Sequence, residues 1–182
     1  FDRCQVAVVT NVGQGDHLGL IYITTVEDLA VLKRVVVQNV SPDGMAVLNA
    51  ADPIVARMAQ SCASAVTFFA IDCTGAVMAA HRALGRRVVH IDRGAIVAAE
   101  GSFEHRIPLA GVPITRSGTI GFQLENAMAA VAAGWALSLP WSVIEAALPA
   151  LIGLRQAEDW VGWSYWADVL EQAGQTVPKD RR

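Results

Sequence analysis

With 182 residues, 53% of them hydrophobic, the chain is long enough to bury one core, with room for a partial second element. Its formal net charge of −3, without any basic run interleaved with aromatics, argues against a nucleic-acid-binding surface. Apolar content at this level suits a parallel sheet covered on both faces.

The first predicted element is a strand from Cys4 to Thr10, carrying Val6, Ala7, Val8 and Val9. It runs into a glycine-rich turn, Asn11-Val12-Gly13-Gln14-Gly15-Asp16-His17-Leu18-Gly19. Thr25 and Asp28 have the spacing of a capping box, which predicts a helix over 26–40. Ser41-Pro42-Asp43-Gly44 reads as a turn. A strand over 45–49, a helix over 53–61 with Pro53 in its first turn, and a strand over 65–71 follow. This β-α-β-α-β order predicts a parallel sheet. A short helix over 78–84 then precedes three short strands, 87–91, 95–99 and 103–108, with turns at Arg93-Gly94 and Glu100-Gly101. They read as an antiparallel meander. Helices over 122–137 and 141–151 complete the regular structure, and 156–174 reads as an amphipathic helix with Trp160 and Trp163 on one side.

Cys4, Cys62 and Cys73 are odd in number and lack C-x-x-C spacing, so they read as core thiols of a cytoplasmic protein. No signal peptide is visible. The run from Ala127 to Leu139 is too short to cross a bilayer and reads as a core helix, so no membrane partner is expected. His81, His90 and His105 show no metal-ligand spacing and read as surface or core residues. Arg86-Arg87 reads as a solvated turn cluster.

Lys33 is the residue that most invites a chemical role. The chain has two lysines, Lys33 and Lys179. At about 100° per residue, Val26, Leu29, Ala30, Val36, Val37 and Val40 fall on one arc of the first helix, and Lys33 falls inside it. A cation there must be paired or lose its charge. Two readings follow. In one, the stem packs and the ammonium meets a carboxylate. In the other, desolvation makes the amine nucleophilic, so that it takes up carbon dioxide and becomes a carbamate, an oxygen ligand for a hard cation such as magnesium.

Thr10-Asn11-Val12 through Asp16-His17-Leu18-Gly19, Thr25-x-Glu27-Asp28-Leu29-Ala30, and Lys33-Arg34-Val35-Val36-Val37 together resemble the Mur-ligase-like domain of cyanophycin synthetases. Leu48-Asn49-Ala50-x-Asp52-Pro53 and Phe122-Gln123-Leu124-Glu125-Asn126-Ala127-x-Ala129-Ala130 extend the match in the same order, from about Phe1 to Leu151. The resemblance implies a fold of class α/β: part of a Mur-ligase central domain, a parallel Rossmann-like sheet with flanking helices and with the antiparallel meander as a small sheet beside the main one. Residues 1–154 would form this ATP-binding domain and 155–182 a divergent tryptophan-rich tail. It also implies an ATP-dependent ligase that joins an acid to an amine through an acyl-phosphate, adding arginine to an aspartate polymer primer. His17 and Lys33 would hold magnesium, the lysine as a carbamate. Asn126, with Gln123 beside it, would meet the adenine of ATP. Asn49 and Asp52 fall in a block whose work is as much structural as catalytic.

The sequence departs from that pattern in three respects. It contains no G-x-x-x-x-G-K-[ST] loop, Ala51 stands where the family has an aspartate, and the family's third domain is absent. The chain on its own is therefore expected to be inactive as a ligase. The alternatives are a non-enzymatic remnant or subunit-interaction fragment, and another Mur-type acid–amino-acid ligase. A homo-oligomer is compatible with each.

Overall fold

The computed structural model describes residues 3–12 and 23–149. Within them, one six-stranded sheet is laid down in chain order: β1 (Cys4–Val9), β2 (Val40–Asn49), β3 (Ala65–Ala70), β4 (Val88–Asp92), β5 (Ala95–Glu100) and β6 (Phe103–Pro108). The first four strands are parallel, and β5 and β6 run antiparallel. The expected α/β class is the one observed. The meander, however, does not form a small second sheet. Ala70 of β3 pairs with His90 of β4, and His90 pairs in turn with Val97 of β5, so the hairpins extend the main sheet. Arg93 and Gly94 both adopt positive φ (46° and 73°) at the β4–β5 turn, the backbone a tight two-residue hairpin requires.

Helices α1 (Val26–Gln38), α2 (Pro53–Met58), α3 (Ala76–Ala83), α4 (Gly121–Ala136) and α5 (Trp141–Ala147) flank the sheet. A 3-10 turn, Ala59–Ser61, finishes the predicted 53–61 helix. Two apolar clusters fill the two faces. One joins Leu29 and Val37 of α1, Val55 and Met58 of α2 and Met78 of α3 to Ala7, Val9, Ala46, Leu48, Phe68 and Val88. The other joins Leu124, Ala127, Met128, Val131 and Ala132 of α4 to Val47, Phe69, Val89, Ile96 and Ala98. Alanines on the buried stripe of α4 let that helix lie close to the strands.

Two expectations about α1 and β2 need correction. Val36, placed on the inward arc by periodicity, is 48% exposed, and Leu32 beside it is 51% exposed. Both lie on the flank of α1 turned away from α2, where the described residues supply no neighbouring element. The predicted turn at Ser41–Gly44 belongs to β2, which begins at Val40. Cys4 pairs with Val40 and Val6 with Met45, so Ser41–Gly44 bulge out opposite the single residue Gln5.

Arg87 is also more than a solvated turn residue. Its guanidinium lies 4.5 Å over the Trp135 ring and meets Glu100 at 3.0 Å, fastening the start of β4 to α4. His105 of β6 stacks on Trp141 at 4.2 Å and reaches Glu145 at 2.6 Å, which ties α5 to the sheet.

His81 and His90 are both buried. Burial pushes each imidazole below its ordinary value, with Arg86 acting in the same direction on His81 and Arg82 on His90, while the Val66 carbonyl opposes the shift at His81. The fold therefore holds both neutral where the unfolded chain would already take up protons. Their contribution is complete above about pH 6.5 and is lost as pH falls from there through the lowered folded values. The urea midpoint should drop between pH 7.5 and pH 5.5, and drop less in His90→Gln. Equal drops in both proteins would rule out His90 as a source.

Candidate functional site

The carboxyl ends of β1 and β2 hold most of the polar residues singled out from sequence. The α1 capping box forms: Thr25 Oγ1 accepts from the Asp28 amide at 3.1 Å, and Asp28 Oδ2 accepts from the Thr25 amide at 3.0 Å. These bonds hold the Asp28 carboxyl below its ordinary range. The helix so started carries Lys33 two turns on, on the flank facing β1. Lys33 is half-buried rather than buried, and its Nζ donates to the Asn11 carbonyl at 3.1 Å. The ammonium is thus aimed at the point where β1 gives way to the glycine-rich segment. His17 lies outside the described residues.

Asp52 sits opposite, one residue before α2. Its Oδ1 accepts from the Ile54 and Val55 amides at 2.8 and 3.2 Å, capping the helix. Its Oδ2 accepts from the Val12 amide at 2.9 Å. One carboxylate therefore starts α2 and pins the chain just after β1. Asn49, only 3% exposed, turns its Oδ1 to the Ala51 amide at 2.9 Å and shapes the same crossing. Sequence spacing gave no signal for the Asp52–Val12 bond, because its ends are forty residues apart. Pro53 alone marked the helix start; the cap that Asp52 supplies was not read from the sequence.

Asn126 and Gln123 lie on α4, in the layer on the other face of the sheet. Asn126 is exposed and donates through Nδ2 to Gln123 Oε1 at 3.2 Å, while Gln123 is buried. Among the described residues, no group of three His, Cys, Asp or Glu side chains converges to hold a metal. Lys33 as an ammonium would repel a cation, whereas as a carbamate it would present oxygen to one. That single oxygen donor suits magnesium, which keeps waters and leans on substrate phosphates rather than on an all-protein cage.

A mainly parallel sheet covered on both faces, with a glycine-rich segment leaving the carboxyl end of β1, defines the α/β class whose ligands sit at strand ends. The chain belongs to the Mur ligase family: residues 2–134 match the Mur ligase middle domain. It is 40% identical over 136 residues to the cyanophycin synthetase of Crocosphaera subtropica, covering 74% of this chain and 16% of that protein. It is 40% identical over 146 residues to the cyanophycin synthetase of Synechocystis, covering 79% of this chain and again 16% of the relative. The chain thus spans about a sixth of the length of these relatives. MurF from Acinetobacter baumannii superposes with a TM-score of 0.48 at 20% identity, over 80% of this chain and 28% of that one. Among the described residues no helix is long and apolar enough to cross a membrane.

Proposed function

We propose that this chain forms part of the nucleotide-facing domain of an ATP-dependent amide-forming ligase, one that adds arginine to the aspartate side chains of a polymer primer through an acyl-phosphate. The family match and the cyanophycin synthetase relatives support the reaction class. The observation that carries the site is the Lys33 amine, held at the end of β1 by the Asn11 carbonyl.

Lys33 acts after losing a proton to solvent. Its free amine adds to carbon dioxide, a carbon–nitrogen bond forms, a second proton leaves nitrogen, and a cationic side chain becomes an anionic carbamate. His17 and this carbamate would hold magnesium, which supplies charge neutralisation as a carboxylate approaches the γ-phosphate. Asp52 contributes by fixing the backbone of Val12 just after β1. Asn126, exposed on α4, offers an amide edge to adenine, and Gln123 orients it through their mutual hydrogen bond. Among the described residues β1 pairs only with β2, and its other edge, with the exposed Leu32 and Val36, suits a further strand and helix of the same ligase, the place where a phosphate-gripping loop would enter.

With ¹³C-bicarbonate, the chain should show a carbamate carbonyl resonance that is absent from Lys33→Arg, Lys179 serving as the internal comparison. A resonance that survives Lys33→Arg, or none in either protein, would remove Lys33 from the site. Calorimetry with ATP and magnesium should show at least tenfold weaker binding in Asn126→Ala. Equal heats would remove the adenine contact.

A further inference from the structure

β6 closes the sheet on the side away from β1, and among the described residues no strand pairs with its outer edge. Its pairing to β5 runs from Phe103 to Pro108 without a bulge. Leu109 donates to the Gly94 carbonyl at 2.9 Å, one step past the Ala95–Pro108 pair. Bonded and non-bonded pairs alternate along an antiparallel ladder, so Phe103, His105 and Ile107 turn their main-chain groups to β5. Glu104 and Arg106 turn theirs to the open edge. Pro108 falls in the same outward set, where its missing N–H costs no bond. Both Glu104 and Arg106 are exposed, so their main-chain donors and acceptors lie along an accessible strand. Natural sheets blunt such edges with bulges or with charge. Here there is no bulge, and the charges are of opposite sign two residues apart, Glu104 and Arg106 meeting on one face at 2.9 Å.

We propose that β6 is an interaction surface for a second copy of this chain, which pairs antiparallel about a twofold axis at His105 and continues the sheet. A twofold pairing that sets the outward main-chain groups of both strands against each other can centre on Glu104, on Arg106 or on His105. Centred on Glu104, carboxylate faces carboxylate. Centred on Arg106, guanidinium faces guanidinium, and Glu104 meets Pro108, which has no N–H to give. Centred on His105, Glu104 of each copy faces Arg106 of the other, and each of these pairs exchanges two main-chain bonds. Unlike charges opposite one another attract and like charges repel, so the charges choose this register. The main chain and Phe103 supply the affinity. Phe103 is 43% exposed although it lies against Trp135 and Trp141. It comes opposite Ile107 of the other copy in a non-bonded pair, where side chains stand closer. His105 meets its own copy at the axis, each ring already stacked on Trp141 beside Glu145. A strand of this length spans roughly 20 Å, short for a standard interface, so the dimer forms in the micromolar range. β1 lies at the opposite edge of the sheet, so pairing through β6 does not involve the site at Lys33.

The test follows the full chain by sedimentation velocity and by amide exchange, each over a hundredfold range of protein concentration at low salt. A monomer–dimer equilibrium is expected. The Glu104 and Arg106 amides should gain at least tenfold protection as dimer forms, whereas those of Phe103, His105 and Ile107 stay protected throughout. Glu104→Arg and Arg106→Glu each set like charges opposite one another and should weaken self-association at least tenfold. Mixed one to one, the two variants again oppose unlike charges at both pairs, and association should return to within threefold of that of the unchanged chain. A purely structural role for the Glu104–Arg106 contact gives no such rescue. A chain that stays monomeric over the whole range, a dimer that ignores both substitutions, or folded variants that fail to associate when mixed would each overturn the assignment. So would protection at Glu104 and Arg106 that does not vary with concentration, which would mean that residues of the same chain occupy the edge. Should either variant not fold, the exchange pattern of the unchanged chain still decides.

Discussion

Gly44→Ala is expected to destabilise the chain by about 3 kcal/mol, the upper range for forcing extra volume into a packed site. In most strands the same change stabilises, because alanine has less backbone freedom to lose. Here the added methyl would overlap the Gln5 carbonyl oxygen and lie 2.9 Å from Val40 Cγ1 and 3.0 Å from the Ser41 carbonyl oxygen. Two of those three neighbours are backbone and cannot turn aside. Either β1 moves away from β2 at its amino end or the bulge opens, and both routes disturb the pairing that holds Val6 and Ala7 against Met45 and Ala46. For a chain of this size the melting temperature should fall by about 6–12 °C. Urea unfolding checks it: a midpoint equal to or above that of the unchanged protein would show that the bulge has room the geometry denies.

Asp52→Ala should cost about 2.5–4 kcal/mol. Loss of a helix N-cap accounts for about 1 kcal/mol, and loss of a charge-assisted bond to the Val12 amide for about 1.5–3 kcal/mol. The two parts separate by substitution. Serine at position 52 still caps α2 but is too short to reach Val12, so Asp52→Ser should recover about 1 kcal/mol relative to alanine. Amide exchange gives the sharper reading, because the Val12 N–H should lose protection equally in the serine and alanine variants. Retained protection in Asp52→Ala would mean that the start of the glycine-rich segment is held by something other than this carboxylate.

What the sequence reveals, and what it hides, follows from how local each cause is. The Thr25–Asp28 box, Pro53 in the first turn of α2 and the Arg93-Gly94 turn are local signals of one to four residues, and each is found where it was expected. Helical periodicity placed Lys33 inside the inward arc, since one angle per residue suffices for that; that the arc meets the end of β1 came only with the fold. It misplaced Val36 because an apolar side chain is inward only if another element lies over it, and periodicity carries no information about neighbours. Ser41–Gly44 has turn chemistry, yet it pairs within β2 because Gly44 fits under the Gln5 carbonyl, a contact across nearly forty residues. The meander could not be told from a separate sheet, since its own hairpins look the same whether or not β4 finds β3. At the site, the residue types were visible and the Asp52–Val12 bond was not.

During synthesis each strand of this sheet emerges after the one it must pair with, so pairing proceeds by adding to an existing edge. The opposite is true of α4, whose residues arrive after all six strands yet cover Val47, Phe69, Val89 and Ile96. Until residue 136 is free, that sticky face of a nearly finished sheet stands bare to the cell. Docking of this one late helix is therefore the step that takes the face out of water.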